Sequence, residues 1–495
     1  MSNRRLHVGA GTRHLKCTAA RVAMGQLWPP LALALGCLVL STTGLMDTVD
    51  RDSCHGKYHY IYDKSALMHS LKIPISIREM GKSLESNSYQ FGDMYATENV
   101  LIDEFENSPC ATEEIRNATY YIVPISFTRI AQGWDKNGVV YIDFFGIKLL
   151  FTKIATILRT EHTEEWATGN NVFIVSHDFG SCLAPDEIAR DQIIISPNGD
   201  TLHHPGTTRL TKENNQYCMM KHNFILDAHN KLAASNYTIL IGQVKHASEV
   251  DDFMETYTCR SCYLEGNRKM IVTPPFVGSH MELSMAREFF SINDISSKEM
   301  QLSTAVNHSR HIFISFRGTV LDSNTRYSHC GVRQALKRLF LSAGERSAHK
   351  QKKVVFSESL LKKELYLEEL AKSTFCLCPP GWAGWSPRWI ESIAMGCIPI
   401  FFTCPRDQFD TVRRVYYPFE NYIDYDRFSI TVNLEDIEGM EEMLEKIHTG
   451  DIIRMQRAMK KTYKKFIIGL SKEAGATSYQ NSDAFRLILQ SLREI

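Results

Sequence analysis

The chain has no surplus of charge, since 56 Lys and Arg are matched by 56 Asp and Glu. It therefore lacks the broad basic surface that a general nucleic-acid or polyanion binder needs. It has no Gly-x-x-x-x-Gly-Lys phosphate loop, which leaves ATP hydrolysis without support. Cys259 and Cys262 have no second Cys-x-x-Cys pair to complete a four-ligand zinc site, so a loop disulfide or two separate partners is the better reading. There is no internal repeat of the length that marks a solenoid or propeller, and no low-complexity tract in the body. Long apolar runs are scarce, which excludes a multi-span membrane protein. What is present is 495 residues, 44% of them hydrophobic and 23% charged. That is the composition of a folded protein too long for one core, and two large lobes are expected.

The charge is unevenly placed. Residues 1–26 carry Arg4, Arg5, Arg13, Lys16 and Arg21 with no acid, leaving 51 basic against 56 acidic groups in the remainder. Leu27 to Met46 then runs 20 positions without a charge, with its apolar heart at Leu31 to Leu40, long enough to cross a bilayer once. A basic tail ahead of one such segment predicts a cytosolic tail and a lumenal body, the type II signal-anchor pattern. A cleaved signal peptide fits the same short apolar run followed by small residues. Both readings send the body into the secretory pathway. The triplets beginning at Asn117, Asn236 and Asn307 are glycosylation acceptors in that compartment. Of 13 cysteines, 11 lie beyond the apolar segment; several would pair in an oxidising lumen, with a connectivity the sequence does not give.

The pattern along the body is α/β. Strands are expected at Tyr58 to Tyr62, Tyr120 to Ile125, Val172 to Ser176, Ile193 to Ser196 and Thr238 to Val244, with a helix over Phe145 to Arg159. A second set opens with a strand at Arg310 to Phe316, a helix over Gly331 to Ser342 and strands at Thr374 to Cys378 and Cys397 to Phe402. Strands alternating with helices imply largely parallel sheets. The expected order is a cytosolic tail (1–26), an anchor (27–46), a short stem (47–57), a first lobe (58–290) and a second lobe (305–495).

The most informative stretch is STFCLCPPGWAGWSPRWIESIAMGCIP, from Ser373 to Pro399. A strand ends at a Pro/Gly loop, Ser386 suits an N-cap, Pro387 the first helical position, and Gly396 the helix end. Gly381 and Gly384 let backbone approach a ligand, and the helix start favours a phosphate. Arg388 and Glu391 share one face of the first turn, where they read either as ligands for a diphosphate and a ribose or as a surface ion pair.

FCLCPPGWAGWSPRWIESIAMGCIPI, from Phe375, resembles the signature of the exostosin-type family, glycosyltransferase family 47. RHIFISFRG from Arg310, Gly331-Val-Arg333, VFIVSHDFGSC from Val172 and Thr273-Pro-Pro-Phe276 are similar to further landmarks of that family, in the same order. HDFGSC and GWAGWSPRWIE are closest to its plant-type xylan xylosyltransferase branch. The resemblance implies a GT-B fold, with two Rossmann-like lobes facing a cleft, following the N-terminal membrane anchor. It also implies inverting transfer of xylose, glucuronate, galactose or a similar sugar from a UDP-sugar to a glycan or polysaccharide acceptor. No cofactor and no essential metal are implied. Arg388 is then the diphosphate ligand, with Arg333 and Arg317 as supporting cations, Ser386, Gly381 and Gly384 at the phosphates, and Glu391 on the ribose. The expected setting is the Golgi membrane, single-pass with a lumenal catalytic domain, alone or in a homo- or hetero-oligomer with another glycosyltransferase. A catalytically weak, glycan-binding partner subunit is the alternative.

Inverting transfer needs a base for the acceptor hydroxyl. His177 and Asp178 follow a buried strand at its carboxyl end, where open α/β sheets place ligands, and are the candidates; Asp93 and Glu98 are reserve acids. Asp424-Tyr-Asp426 is formally an Asp-x-Asp triplet, read here as turn carboxylates and not as metal ligands.

Overall fold

The computed structural model describes residues 54–71, 96–128, 134–135, 138–139, 144–176, 184–197, 199, 269–276, 310–320, 331–341, 353–381, 385–403, 415–469 and 481–495. The tail and apolar segment, the strand expected at Thr238 to Val244, the Cys259 and Cys262 pair, and Asn236 and Asn307 lie outside the described residues. Among the described residues, no helix is long and apolar enough to cross a membrane. Asp50–Ile495 forms one compact unit.

The fold is mixed α/β, built on two five-stranded parallel sheets. The first contains β1 (His59–Ile61) and β2 (Tyr120–Val123). Next in sequence, β3 (Trp134–Asp135) and β4 (Gly138–Val139) form a small antiparallel ribbon apart from it. The sheet continues with β5 (Asn171–Ile174), β6 (Ile193–Ser196) and β7 (Met270–Val272), in the order β1-β2-β5-β6-β7. Every residue of β2, β5 and β6 is buried, as expected of parallel strands covered on both faces. Helix α1 (Thr97–Glu106) and helix α2 (Phe144–Glu161) belong to this half. Phe151 of α2 stacks on Phe127 at 4.3 Å and meets Phe173 of β5 at 5.8 Å.

The second sheet runs β12-β11-β10-β8-β9, from β8 (Ile312–Arg317), β9 (Lys353–Ser357), β10 (Ser373–Leu377), β11 (Ile398–Thr403) and β12 (Ile430–Asn433). Pro399 cannot donate to a ladder, yet β11 is central. The pairing resolves this: β11 meets β12 only from Ile400 onward, so the proline stands just before that ladder begins. Helices α3 (Val332–Leu341), α4 (Lys363–Ala371), α5 (Pro387–Ala394) and α6 (Thr449–Thr462) belong to this half. The last helix, α7 (Asp483–Glu494), returns to the first half, where Phe485 packs on Phe105 at 4.8 Å.

The strands expected from aromatic and β-branched runs are present wherever they are described. Five were not foreseen: the two-residue strands β3 and β4 of the small ribbon, and β7, β9 and β12. β7 has only three residues, and β9 and β12 are edge strands with half-exposed faces, so none carries a long apolar signal. Two disulfides are formed among the described residues, Cys54–Cys110 and Cys376–Cys397. Asn117 is exposed, and its side-chain amide donates to Glu114 Oε2 at 2.9 Å.

Candidate functional site

The order of the second sheet places its ligand crevice. The chain leaves β8 for β9 on one side and then crosses to β10 on the other. The carboxyl ends of β8 and β10 therefore flank the point where the winding reverses, the place at which open α/β sheets bind ligands. Arg317 and Gly318 lie at the end of β8, Cys378 to Gly381 follow β10, and the first turns of α3 and α5 carry Arg333 and Arg388.

The helix start forms as its residues dictate. Ser386 takes the extended N-cap conformation and Pro387 the first position, while Gly396 closes the helix at φ +66°. The Ser386 side chain makes no capping bond and no acid stands in the first turn. A cation there opposes the positive end of the helix dipole, yet Arg388 occupies it. Its guanidinium lies 4.8 Å from the centre of the Phe316 ring, and Nη2 donates to the Arg317 carbonyl. Its Nε and Nη1 are buried and have no hydrogen-bond partner among the described residues. The indole N–H groups of Trp385 and Trp389 are likewise buried and unbonded among the described residues. Buried donors without acceptors are costly, and an anion in the crevice would relieve both the electrostatics and the missing bonds.

Gly318 makes the arrangement possible. A Cβ there would stand 2.8 Å from Arg388 Nη2 and 3.2 Å from the Phe316 ring. Arg333 works differently from Arg388. Its Nε donates to Pro380 O and its Nη1 to Thr319 O, both at 2.9 Å, so it clamps the loops leaving β8 and β10 together. A Cβ on Gly381 would lie 3.5 Å from Arg333 Nη2, which places this guanidinium against the glycine loop. Gly384 lies outside the described residues.

Two of the expected ligands are already engaged. Arg317 binds Glu369 through both carboxylate oxygens, with Nε to Oε1 at 2.8 Å and Nη2 to Oε2 at 2.7 Å, and also reaches Ser359 O at 3.2 Å. Its charge is neutralised in place, so it supports β8 and does not offer a free cation. Glu391 is buried and accepts from Lys363 Nζ at 2.6 Å and Tyr366 OH at 3.0 Å. A ribose would share that carboxylate with both. Sequence reading missed these α4 partners, although Lys363, Tyr366 and Glu369 recur at helical spacing three residues apart just before the motif strand.

In the first half, His177 and Asp178 lie outside the described residues, as does Asp93. Glu98 of α1 is fully buried at the carboxyl ends of β2 and β5. It accepts from Thr128 Oγ1 at 2.5 Å and from the amide of Ser176, the residue before His177, at 2.8 Å. Burial pushes its carboxyl up to about 7 against those hydrogen bonds. Asp424 and Asp426 are exposed beside the amino end of β12, on the edge away from the crevice, and Asp424 pairs with Arg427 at 3.0 Å.

The Exostosin GT47 domain matches residues 53–447. The chain belongs to this family. Among curated proteins, the exostosin-family chain is 30% identical to a probable glucuronosyltransferase of Oryza sativa subsp. japonica over 37% of its length and 38% of the relative's. It is 29% identical to a probable beta-1,4-xylosyltransferase of Arabidopsis thaliana over 37% of its length and 40% of the relative's. The matched region thus spans well under half of the curated relatives. Among solved structures, a UDP-forming trehalose-phosphate synthase from Burkholderia xenovorans aligns over 73% of this chain and 80% of its own, with 11% identity and a TM-score of 0.30.

Proposed function

We propose that this exostosin-family chain is an inverting glycosyltransferase that moves a sugar from a UDP-sugar to a glycan or polysaccharide acceptor. The observation that carries the reading is Arg388: a cation in an uncapped helix start at the winding-reversal crevice, with two buried donors unbonded. In the proposed reaction the acceptor hydroxyl attacks the anomeric carbon on the face opposite the leaving group. Arg388 and the α5 N-terminus take up the charge of the departing diphosphate, a role electrostatic preorganisation fills well. Arg333 keeps the two loops in register, and Ser386, Gly381 and Gly384 are assigned to the phosphates. Glu391, oriented by Lys363 and Tyr366, is assigned to the ribose. His177 takes the hydroxyl proton as general base, with Asp178 orienting it.

The two sheets are read as the lobes of a GT-B fold, with the donor on the second. The names of the plant relatives make xylose and glucuronate the first donors to test. The disulfides Cys54–Cys110 and Cys376–Cys397 support a lumenal body, and with the apolar segment 27–46 they favour a Golgi membrane setting.

The test is calorimetric titration of UDP into the full-length protein and an Arg388→Ala variant. Loss of charge-assisted bonds worth about 1.5–3 kcal/mol should weaken UDP binding by roughly tenfold or more, with circular dichroism and thermal midpoint unchanged. Equal affinity in both proteins, or no UDP binding at all, would reject the assignment. A panel of UDP-xylose, UDP-glucuronate and UDP-galactose then separates a transferase from a binding-only subunit.

A further inference from the structure

A second concave site lies on the opposite edge of the second sheet. A cleft of about 720 Å³ is bounded by α6 and by the segment from Tyr422 to Phe428 that leads into β12. Because β12 is parallel to β11 and β10, what precedes it lies at the amino ends of the strands, away from the crevice. Gln456 of α6 donates to the carbonyl of Gly396, just ahead of β11, at 3.3 Å, which fixes α6 on that same edge.

The chemistry of the cleft is one-sided. Arg454, Arg457, Lys461 and Lys465 fall at helical spacing along α6 and the turn after it, and Arg427 completes the rim from the opposite wall. Only Asp424 and Asp426 among the lining residues are acidic. Asp424 is held by Arg427 at 3.0 Å, and Arg454 is held by Asp451 from outside the cleft. Arg457, Lys461 and Lys465 have no carboxylate partner among the described residues. The rest of the lining is largely apolar, with Tyr422, Ile423, Met455 and Ala458. The Tyr422 hydroxyl is tied to Glu494 at 2.7 Å, which fixes the ring. Cations without carboxylate partners among the described residues, set in a cleft that also presents aromatic and aliphatic side chains, suit a ligand with carbon–hydrogen faces and negative substituents. The concave shape suits an inserted chain better than a flat lipid surface.

We propose that this cleft binds an anionic saccharide, a segment of glycan whose ring sits against Tyr422 while its carboxylate or sulfate groups meet Arg457, Lys461 and Lys465. Such a site would hold an acidic chain remote from the transfer crevice. The choice of saccharide rests on the glycosyltransferase reading; the anion selectivity rests on the cleft alone.

The test uses trigalacturonate titrated into the full-length protein, with xylotriose as a neutral trisaccharide of similar size and vesicles containing phosphatidylserine as a third arm. Trigalacturonate should bind and weaken about tenfold between roughly 50 mM and roughly 300 mM NaCl, because exposed charges are screened over a Debye length of about 8–10 Å near physiological salt. Arg457→Ser with Lys461→Ser, two exposed positions, should weaken it at least tenfold while UDP affinity stays at the wild-type value. Absence of trigalacturonate binding, equal binding by the double variant, or equal binding of xylotriose overturns the proposal. Binding to the vesicles alone, lost in the double variant, also overturns it in favour of a lipid surface. Intact trigalacturonate binding in a protein that fails to bind UDP supports this site while rejecting the transferase reading.

Discussion

The carboxylate of Glu104 accepts both the hydroxyl and the amide of Ser482, at 2.6 and 3.0 Å, across 378 positions of sequence. The same carboxylate takes the Gly469 amide at 2.8 Å and the Asn481 side chain at 2.9 Å. Ser482 is the N-cap of α7, so a buried acid in α1 fastens the last helix to the first half of the molecule. Ala484, Phe485, Ile488 and Leu492 bury the apolar face of α7 there, and the Tyr120 hydroxyl donates to the Leu492 carbonyl.

Glu104→Ala should therefore act on stability. It leaves several half-buried donors without their acceptor, each costing up to about 1–3 kcal/mol, and a net loss of about 3 kcal/mol is expected. Urea unfolding checks this, with UDP affinity at low denaturant unchanged. A midpoint equal to wild type would show that the apolar face of α7 holds the helix by itself.

Glu98 predicts a pH dependence. Its carboxyl has an ordinary value of 4.5 and is raised to about 7 by burial. Between those values the folded protein binds more protons than the unfolded chain, so stability falls as pH rises through this window and levels off above it. The contribution is about 3 kcal/mol, since each tenfold change in proton affinity is worth about 1.36 kcal/mol. Glu98→Gln, which keeps an acceptor oxygen but cannot ionise, should flatten that slope. Parallel stability curves for the two proteins from pH 5 to about 8 would show that Glu98 does not titrate in this way.

Gly318→Ala tests the crevice without removing a charged group. The added methyl meets Arg388 Nη2 at 2.8 Å and the Phe316 ring at 3.2 Å, so the guanidinium must shift. UDP affinity should fall roughly tenfold, or about 1.4 kcal/mol, with the fold retained. Wild-type affinity in a folded Gly318→Ala protein would mean that Arg388 is free to relocate or that UDP binds elsewhere.

Cys378 follows β10 beside the Cys376–Cys397 disulfide. Burial pushes its thiol up to about 12, so little thiolate exists at neutral pH. Iodoacetamide at about pH 8 should leave Cys378 unmodified in the native protein and label it once denaturant is added, as peptide mapping would show. Removing the neighbouring bridge as Cys376→Ser with Cys397→Ser opens a loop with a sequence separation of 21 and should cost about 3 kcal/mol.

The sequence by itself determined the architecture around the crevice of the second sheet. Buried β-branched and aromatic runs could only be interior strands, and Ser386, Pro387 and Gly396 set the limits of α5 through local backbone preferences that need no distant partner. The order of motifs was legible for the same reason, as were Gly381 and Arg388 as members of one loop and helix start. What tertiary structure decided is which charges are free. Arg317 and Arg388 look alike in sequence, yet Glu369 neutralises one while the other keeps two buried donors unbonded. Glu391 reads as an open ligand until Lys363 and Tyr366 arrive from another helix. The attachment of α7 to Glu104 joins positions 378 apart. Local periodicity encodes where a chain bends and what it buries, whereas the pairing of a charge depends on long-range packing that brings its partner within about 3 Å.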